Sequence, residues 1–306
     1  MAQIITQRSS QPWEPAGIIS GVNALNNPPV MVGFAAELMA MTRIENAAEK
    51  LGWKVFWIER LAQIAAPEPI LPQRQLAEHL HGPGAVLIER LTEWQPALMI
   101  FDLGNSEIPW REWIALIKSA PATRRLPLIC YGSHVAADVL TDAREAGADA
   151  VLARSKFFAN IPGHLERYGR KIDPQALATD CRQSLSLRAL EGLELFNRGH
   201  YFEAHEALED AWNQDPTPGK ELYRAILQVA VAYLQIERGN YNGARKMFLR
   251  LRQWIDPLPD LCRGVDVKQL REDAGEVRRR LLELGEHHLD EFDHTLFRPV
   301  VYQTGL

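Results

Sequence analysis

Residues 199–212 read GHYFEAHEALEDAW. His205, Glu206 and Glu209 form an H-E-x-x-E set, with Glu203 just before it. On a helix, positions i and i+4 share a face, so His205 and Glu209 would stand side by side. An imidazole beside carboxylates can ligate a divalent metal or move protons. His200 is close in sequence, but it falls in the turn that precedes the helix, so a further ligand would have to come from another element.

A different chemistry competes for the same residues. At about 100° per residue, Ala204, Ala207, Leu208 and Ala211 share one face, which must be core. Glu203, Glu206 and Asp210 then point the other way, and His205 and Glu209 lie at the boundary beside Trp212. The stretch LYRAILQVAVAYLQI (222–236) is apolar nearly all round apart from Arg224, Gln228 and Gln235. Such polar groups are costly to bury unless bonded. Arg224 is expected to fork onto Glu209 or Glu206, and Gln228 to serve His205. A guanidinium there opposes a cation. The cluster Glu203, His205, Glu206, Glu209, Arg224 and Gln228 is therefore expected to be a polar knot fixing helix register. The alternatives are a divalent metal on His205, Glu206 and Glu209, or a pocket for a small polar or anionic ligand. Compared with the zinc motif H-E-x-x-H, Glu209 replaces the second histidine.

These residues need a scaffold. A chain of 306 residues suits two domains, each burying its own core. The net charge of −5 argues against a broad nucleic-acid footprint. Charges interrupt every apolar stretch before membrane-spanning length. The start, MAQIITQRSSQPWEPAG, lacks the basic and apolar regions of a secretory signal. Cys130, Cys181 and Cys262 are widely spaced and odd in number, which reads as reduced cytoplasmic thiols and not a disulfide scaffold.

Residues 1–28 read as a loose arm. Apolar runs at 29–35, 53–59, 97–103, 126–132 and 148–153 then alternate with helical stretches at 37–52, 73–95, 109–119, 134–146 and 156–169. Five β–α units in series predict a parallel sheet of flavodoxin-like order with helices on both faces. LMIFDL (98–103), RRLPLICYG (124–132) and EAGADAVLAR (145–154) resemble the receiver domain of two-component response regulators, over about 29–170. That resemblance puts Asp102 at the phosphate-accepting position. It puts Gly132, with Ser133 beside it, at the Ser/Thr position, and Arg154 at that of the lysine. The two metal-holding acids after strand one are missing, because that place reads GFAA (33–36). A metal without those oxygens is poorly held, and phosphoryl transfer needs it. The resemblance thus implies a degenerate receiver in which Asp102 caps a loop or pairs with Arg154. No glycine-rich phosphate loop is present.

Residues 171–183 read as a linker. Helical periodicity then holds, with about five helices at 184–198, 201–214, 219–238, 240–255 and 266–284. RGHYFEA (198–204) recurs as RGNYNGA (238–244), and each copy is followed by a helix ending in Asp-Pro-x-Pro (215–218 and 256–259). Two helical hairpins packed as a bundle are predicted. FNRGHYFEAHEALEDAW (196–212), ELYRAILQVAVAYLQIERGNYNGA (221–244) and GVDVKQL (264–270) resemble the all-helical family called domain of unknown function 309, which brings no activity with it. Residues 285–306 are expected to lie over the protein as a tail, its end adding a short strand or serving a partner.

The reading is a cytoplasmic, regulatory or interaction protein, a pseudo-receiver joined to a helical bundle. It needs no cofactor, and its partner is another protein or a second copy. The rival is a metal-dependent enzyme or metal-binding module at His205, Glu206 and Glu209.

Overall fold

The structure, a computed structural model, describes residues 28–65, 83–170 and 173–303. The expected N-terminal arm and the first ten positions of the helix expected at 73–95 lie outside these residues.

The first unit alternates β1 (Val30–Phe34), α1 (Leu38–Lys50), β2 (Lys54–Trp57), α2 (Ala62–Ala65), α3 (Pro83–Trp94), β3 (Leu98–Asp102), α4 (Trp110–Ser119), β4 (Leu128–Gly132), α5 (Ala137–Glu145), β5 (Ala150–Ala153), α6 (Arg154–Ala159) and α7 (Ile161–Tyr168). All four strand pairings are parallel and the order is β2-β1-β3-β4-β5. This is the flavodoxin-like order predicted. β3 and β4 are buried on both faces, hence their unbroken apolar runs. Two apolar clusters, one per face, bury the sheet under its helices. Gly33 is in β1 because a Cβ there would meet the Trp57 ring at 2.1 Å.

One expected helix is two. The stretch 156–169 breaks at Asn160, whose side chain accepts a hydrogen bond from the Gly163 N–H (3.1 Å) and starts α7 ahead of Pro162.

The second unit holds α8 (Pro174–Asp180), α9 (Leu187–Asn197), α10 (Tyr201–Gln214), a 3-10 turn at Pro218–Lys220, α11 (Glu221–Glu237), α12 (Tyr241–Ile255), the hairpin of β6 (Leu261–Cys262) and β7 (Val265–Asp266), and α13 (Val267–Leu284). The linker is therefore not wholly irregular. Asp173 caps α8 by accepting from the Gln175 and Ala176 N–H groups, and Leu177 enters the core.

The internal repeat is a repeat of turn chemistry. Gly199 (φ +81°) and Gly239 (φ +69°) each end a helix in the left-handed region. Each donates to the carbonyl three residues back, Phe196 or Ile236. Tyr201 and Tyr241 then open α10 and α12 and are buried. Two hairpins result, α9–α10 and α11–α12, with α11 central and buried along most of its length. The tail lies over this bundle. Phe297 stacks on Tyr233 (4.2 Å between ring centres), and Tyr302 pairs with Val265 in a single antiparallel bridge, short of the strand expected of the tail.

The thiol expectation is overturned. Cys181, at the end of α8, is disulfide-bonded to Cys262 in β6, and Cys130 is the free, buried cysteine. Spacing alone misled because the pair is brought together by tertiary folding across 81 positions.

The units meet where α3 lies against α12. Arg245 and Glu89 form a shielded ion pair, and Arg278 reaches Glu93 at 3.7 Å. Among the described residues, no helix is long and apolar enough to cross a membrane.

Candidate functional site

At the carboxyl end of the sheet, Asp102 closes β3 and is buried. Its Oδ1 accepts from the Gly104 N–H (2.9 Å) and its Oδ2 from the Tyr131 hydroxyl (3.1 Å). The Arg154 guanidinium, from the first turn of α6, lies 3.6 Å from Oδ2 and also pairs with Glu37. Burial raises the Asp102 carboxyl above its ordinary value, against the Gly104 N–H, the Tyr131 hydroxyl and Arg154. The loop cap and the Arg154 contact are those expected. Ser133 accepts from the Val135 N–H (3.3 Å) and does not contact Asp102, and a Cβ on Gly132 would crowd Leu103 and Leu140.

Two members of this site were not read from the sequence. Glu37 follows GFAA directly and, as the residue before α1, reaches the site through Arg154. Tyr131 reads as an ordinary residue of a buried strand, yet its hydroxyl turns to Asp102. Arg154 stands over the rings of Tyr131 (5.7 Å) and Phe158 (5.3 Å), so its head is held by acids on one side and rings on the other. A guanidinium shared by two carboxylates balances their charge without a metal.

In the helical unit the wheel is confirmed. Ala204, Ala207, Leu208 and Ala211 are buried, and Glu203, Glu206 and Asp210 are exposed. Asp210 pairs with Arg188 across to α9 (2.8 Å). His205 and Glu209 are neighbours at 4.0 Å. Glu206 is exposed, and among the described residues no group of three or more His, Cys, Asp or Glu side chains could hold a metal ion.

The expected fork from Arg224 onto these acids is not formed. Arg224 instead lies between two indoles, 4.3 Å from the Trp212 ring and 4.3 Å from that of Trp254. Its Nη1 and the Gln228 Oε1 are buried with no hydrogen-bond partner among the described residues, and no hydrogen bond there joins Gln228 to His205. The reason is steric order. Tryptophans end α10 and α12 on either side of α11, and a flat guanidinium fits their faces better than it reaches the exposed Glu206 and Glu209. The role of both tryptophans as a clamp on Arg224 depends on helix packing, which spacing on a single helix does not reveal.

A second arginine knot was missed. Arg263, almost wholly buried in the β6–β7 turn, donates to Asp215 (2.5 Å), the Tyr223 hydroxyl (2.5 Å) and Thr217 (2.7 Å). Its own N–H donates to the Cys181 carbonyl (2.6 Å). Burial pushes Asp215 up, but Thr217 and Arg263 outweigh it and hold the carboxyl below its ordinary value. The sequence signal was the pair Asp215 and Thr217 inside the Asp-Pro-x-Pro turn.

With this geometry in view, the comparisons fall on the two units separately. Residues 189–247 match the family described as Domain of unknown function (DUF309). The DUF309 match contains the whole cluster from Glu203 to Gln228. The first unit is similar to the phosphorylated cyanobacterial phytochrome response regulator RcpA, at 16% identity over 46% of this chain and 94% of that one, with TM-score 0.35. It is also similar to the Mn(2+)-bound response regulator Rcp1 (14% identity, 48% and 98%, TM-score 0.34). A third similar structure is a response regulator from Thermotoga maritima (14%, 46% and 98%, TM-score 0.32). The topology stands on the strand register above. No curated protein matches the chain.

Proposed function

We propose that this is a regulatory, interaction-type protein whose α/β unit keeps receiver-type topology without phosphoryl transfer, and whose helical unit binds a protein partner or a second copy of the chain. The observation that carries this is the position of Arg154, joined to Glu37 and 3.6 Å from Asp102. A carboxylate that attacks a phosphoryl group must be ionised, open in line and flanked by a metal. Asp102 is instead buried, capped by Gly104 and Tyr131 and faced by a fixed cation. The acid pair that would hold magnesium is replaced by GFAA. Such a unit offers a rigid surface and no switchable phosphate.

Cytoplasmic residence is part of this reading, and it carries a condition. Cytoplasmic thiols are held reduced, so the Cys181–Cys262 bond would there be transient.

The test is incubation of the full chain with acetyl phosphate and magnesium, followed by intact-mass measurement. The expected result is unmodified protein. A stable phosphate adduct on Asp102 overturns the proposal.

A further inference from the structure

The clamp on Arg224 continues across the boundary between the units. Lys220 lies 5.1 Å from the centre of the Trp212 ring, Arg224 lies 4.3 Å from both Trp212 and Trp254, and Arg125 lies 4.8 Å from Trp254. Lys220, Arg224 and both indoles belong to the helical unit. Arg125 belongs to the segment between α4 and β4 of the α/β unit, as does Arg124. Cation–ring contacts thus run in a connected series, Lys220–Trp212–Arg224–Trp254–Arg125. Arg250 of α12 adds a fifth positive charge close enough to feel Arg124.

We propose that Arg124, Arg125, Lys220, Arg224 and Arg250 form a site for a small anion carrying one or more phosphate groups, held at the junction of the two units. Three observations support it. First, none of these five side chains makes a hydrogen bond or lies within 4.0 Å of a carboxylate among the described residues. Arg188, Arg252, Arg263, Arg271 and Arg279 all do. Second, the charge is nearly uncompensated. Within this series stands Glu221, whose Oε2 is buried without a hydrogen-bond partner among the described residues, and Glu209 acts on Arg224 from the exposed face of α10. Five cations facing two carboxylates are unusual in a chain of net charge −5. Burial, then Arg125, lowers Arg224 from its ordinary value, so the positive groups repel one another. Third, access is graded. Arg124 and Arg125 are exposed, while Lys220, Arg224 and Arg250 are half-buried, giving an open rim over a shielded floor.

The chemistry of the ligand follows from what remains unused. Guanidinium forks bind phosphate oxygens in pairs, and several cations favour a ligand with several negative oxygens. Two cations already lie over each indole, where single-stranded nucleic acid would stack its bases, so the site favours a compact anion over a stacked strand. A bound anion would replace repulsion between Arg124 and Arg250 by shared attraction and would draw the two units together.

The probe is inorganic pyrophosphate, titrated calorimetrically into the full chain at constant ionic strength. Saturable one-to-one binding is expected. Arg124→Ala with Arg250→Ala removes two side chains that have no hydrogen-bond or ion-pair partner among the described residues, so the melting temperature should hold while affinity falls by about tenfold or more. Glu221→Gln removes the competing carboxylate and should tighten binding severalfold. Absence of saturable heat overturns the proposal. Binding equal in the wild type and the double variant also overturns it, as an adventitious ion only. So does an oligothymidylate that binds through Arg124 and Arg250 and is not displaced by pyrophosphate. Should the double variant unfold, Arg124→Ala alone, at an exposed position, decides the matter by the same loss of affinity.

Discussion

Breaking the Cys181–Cys262 bond should destabilise the helical unit strongly without reshaping it. The two cysteines are 81 positions apart and enclose α9 to α12. In the chain-entropy account a cross-link stabilises by restricting the unfolded chain, and a loop of that length corresponds to about 4.5 kcal/mol. The native contacts around the bond do not depend on it. Arg263 still donates to the Cys181 carbonyl, the Gly219 N–H still reaches Asp180 (3.3 Å), and Leu177 still sits in the core. Reduction should therefore leave the far-ultraviolet circular dichroism spectrum unchanged while the melting temperature falls on the order of 10 °C. The assay is thermal and guanidinium unfolding of air-oxidised full chain, with and without a phosphine reductant, alongside the Cys181→Ser/Cys262→Ser variant. A thiol assay under denaturing conditions should return one thiol before reduction, Cys130, and three after. Equal unfolding midpoints with and without reductant would refute the reasoning, as would three thiols in the untreated protein.

Asp102→Asn should stabilise the α/β unit at neutral pH. A carboxyl raised on folding binds its proton more tightly when folded, so its penalty is present at neutral pH and disappears as pH falls through the raised value. Calorimetry should show a higher melting temperature for the variant at pH near 7 and convergence towards pH near 4; a lower one at neutral pH would show that the Arg154 attraction outweighs burial. Arg263→Ala leaves Asp215 and Tyr223 facing an emptied, buried site and should cost about 3 to 5 kcal/mol by denaturant unfolding, with near-neutrality counting against the knot. Elemental analysis of the purified chain should find no stoichiometric zinc, iron or manganese. A metal that is lost on His205→Ala while the melting temperature is kept would restore the metal-dependent reading of His205, Glu206 and Glu209.

The fold was legible where local pattern and tertiary environment agree. Buried runs such as LMIFD and LICYG can be little else than central parallel strands, and the recurring Arg-Gly turn marks both helical hairpins. The candidate sites were legible only in part, because spacing on one helix says which residues share a face and not what the next helix brings to it. His205 and Glu209 are neighbours as their spacing requires. Arg224 turned to two indoles instead of two acids, since Trp212 and Trp254 converge only after α10 and α12 pack on α11. Asp102 and Arg154 meet because parallel strands align their carboxyl ends. Glu37 joins them from one residue past the window in which acids were sought. The disulfide and Arg263 lay beyond sequence reading for the same reason: their partners lie far along the chain, Cys181 and Cys262 being 81 positions apart and Arg263 bonding Tyr223, Thr217 and Asp215 at 40, 46 and 48 positions.

In the proposed function, Arg154, shared by Glu37 and Asp102, closes the receiver-type site to phosphoryl chemistry. The most direct measurement adds beryllofluoride with magnesium to the isotopically labelled full chain and follows the backbone amides of Asp102, Gly104, Tyr131, Ser133 and Arg154 by nuclear magnetic resonance. Unshifted signals are expected. Saturable, magnesium-dependent shifts centred on those amides would contradict the account.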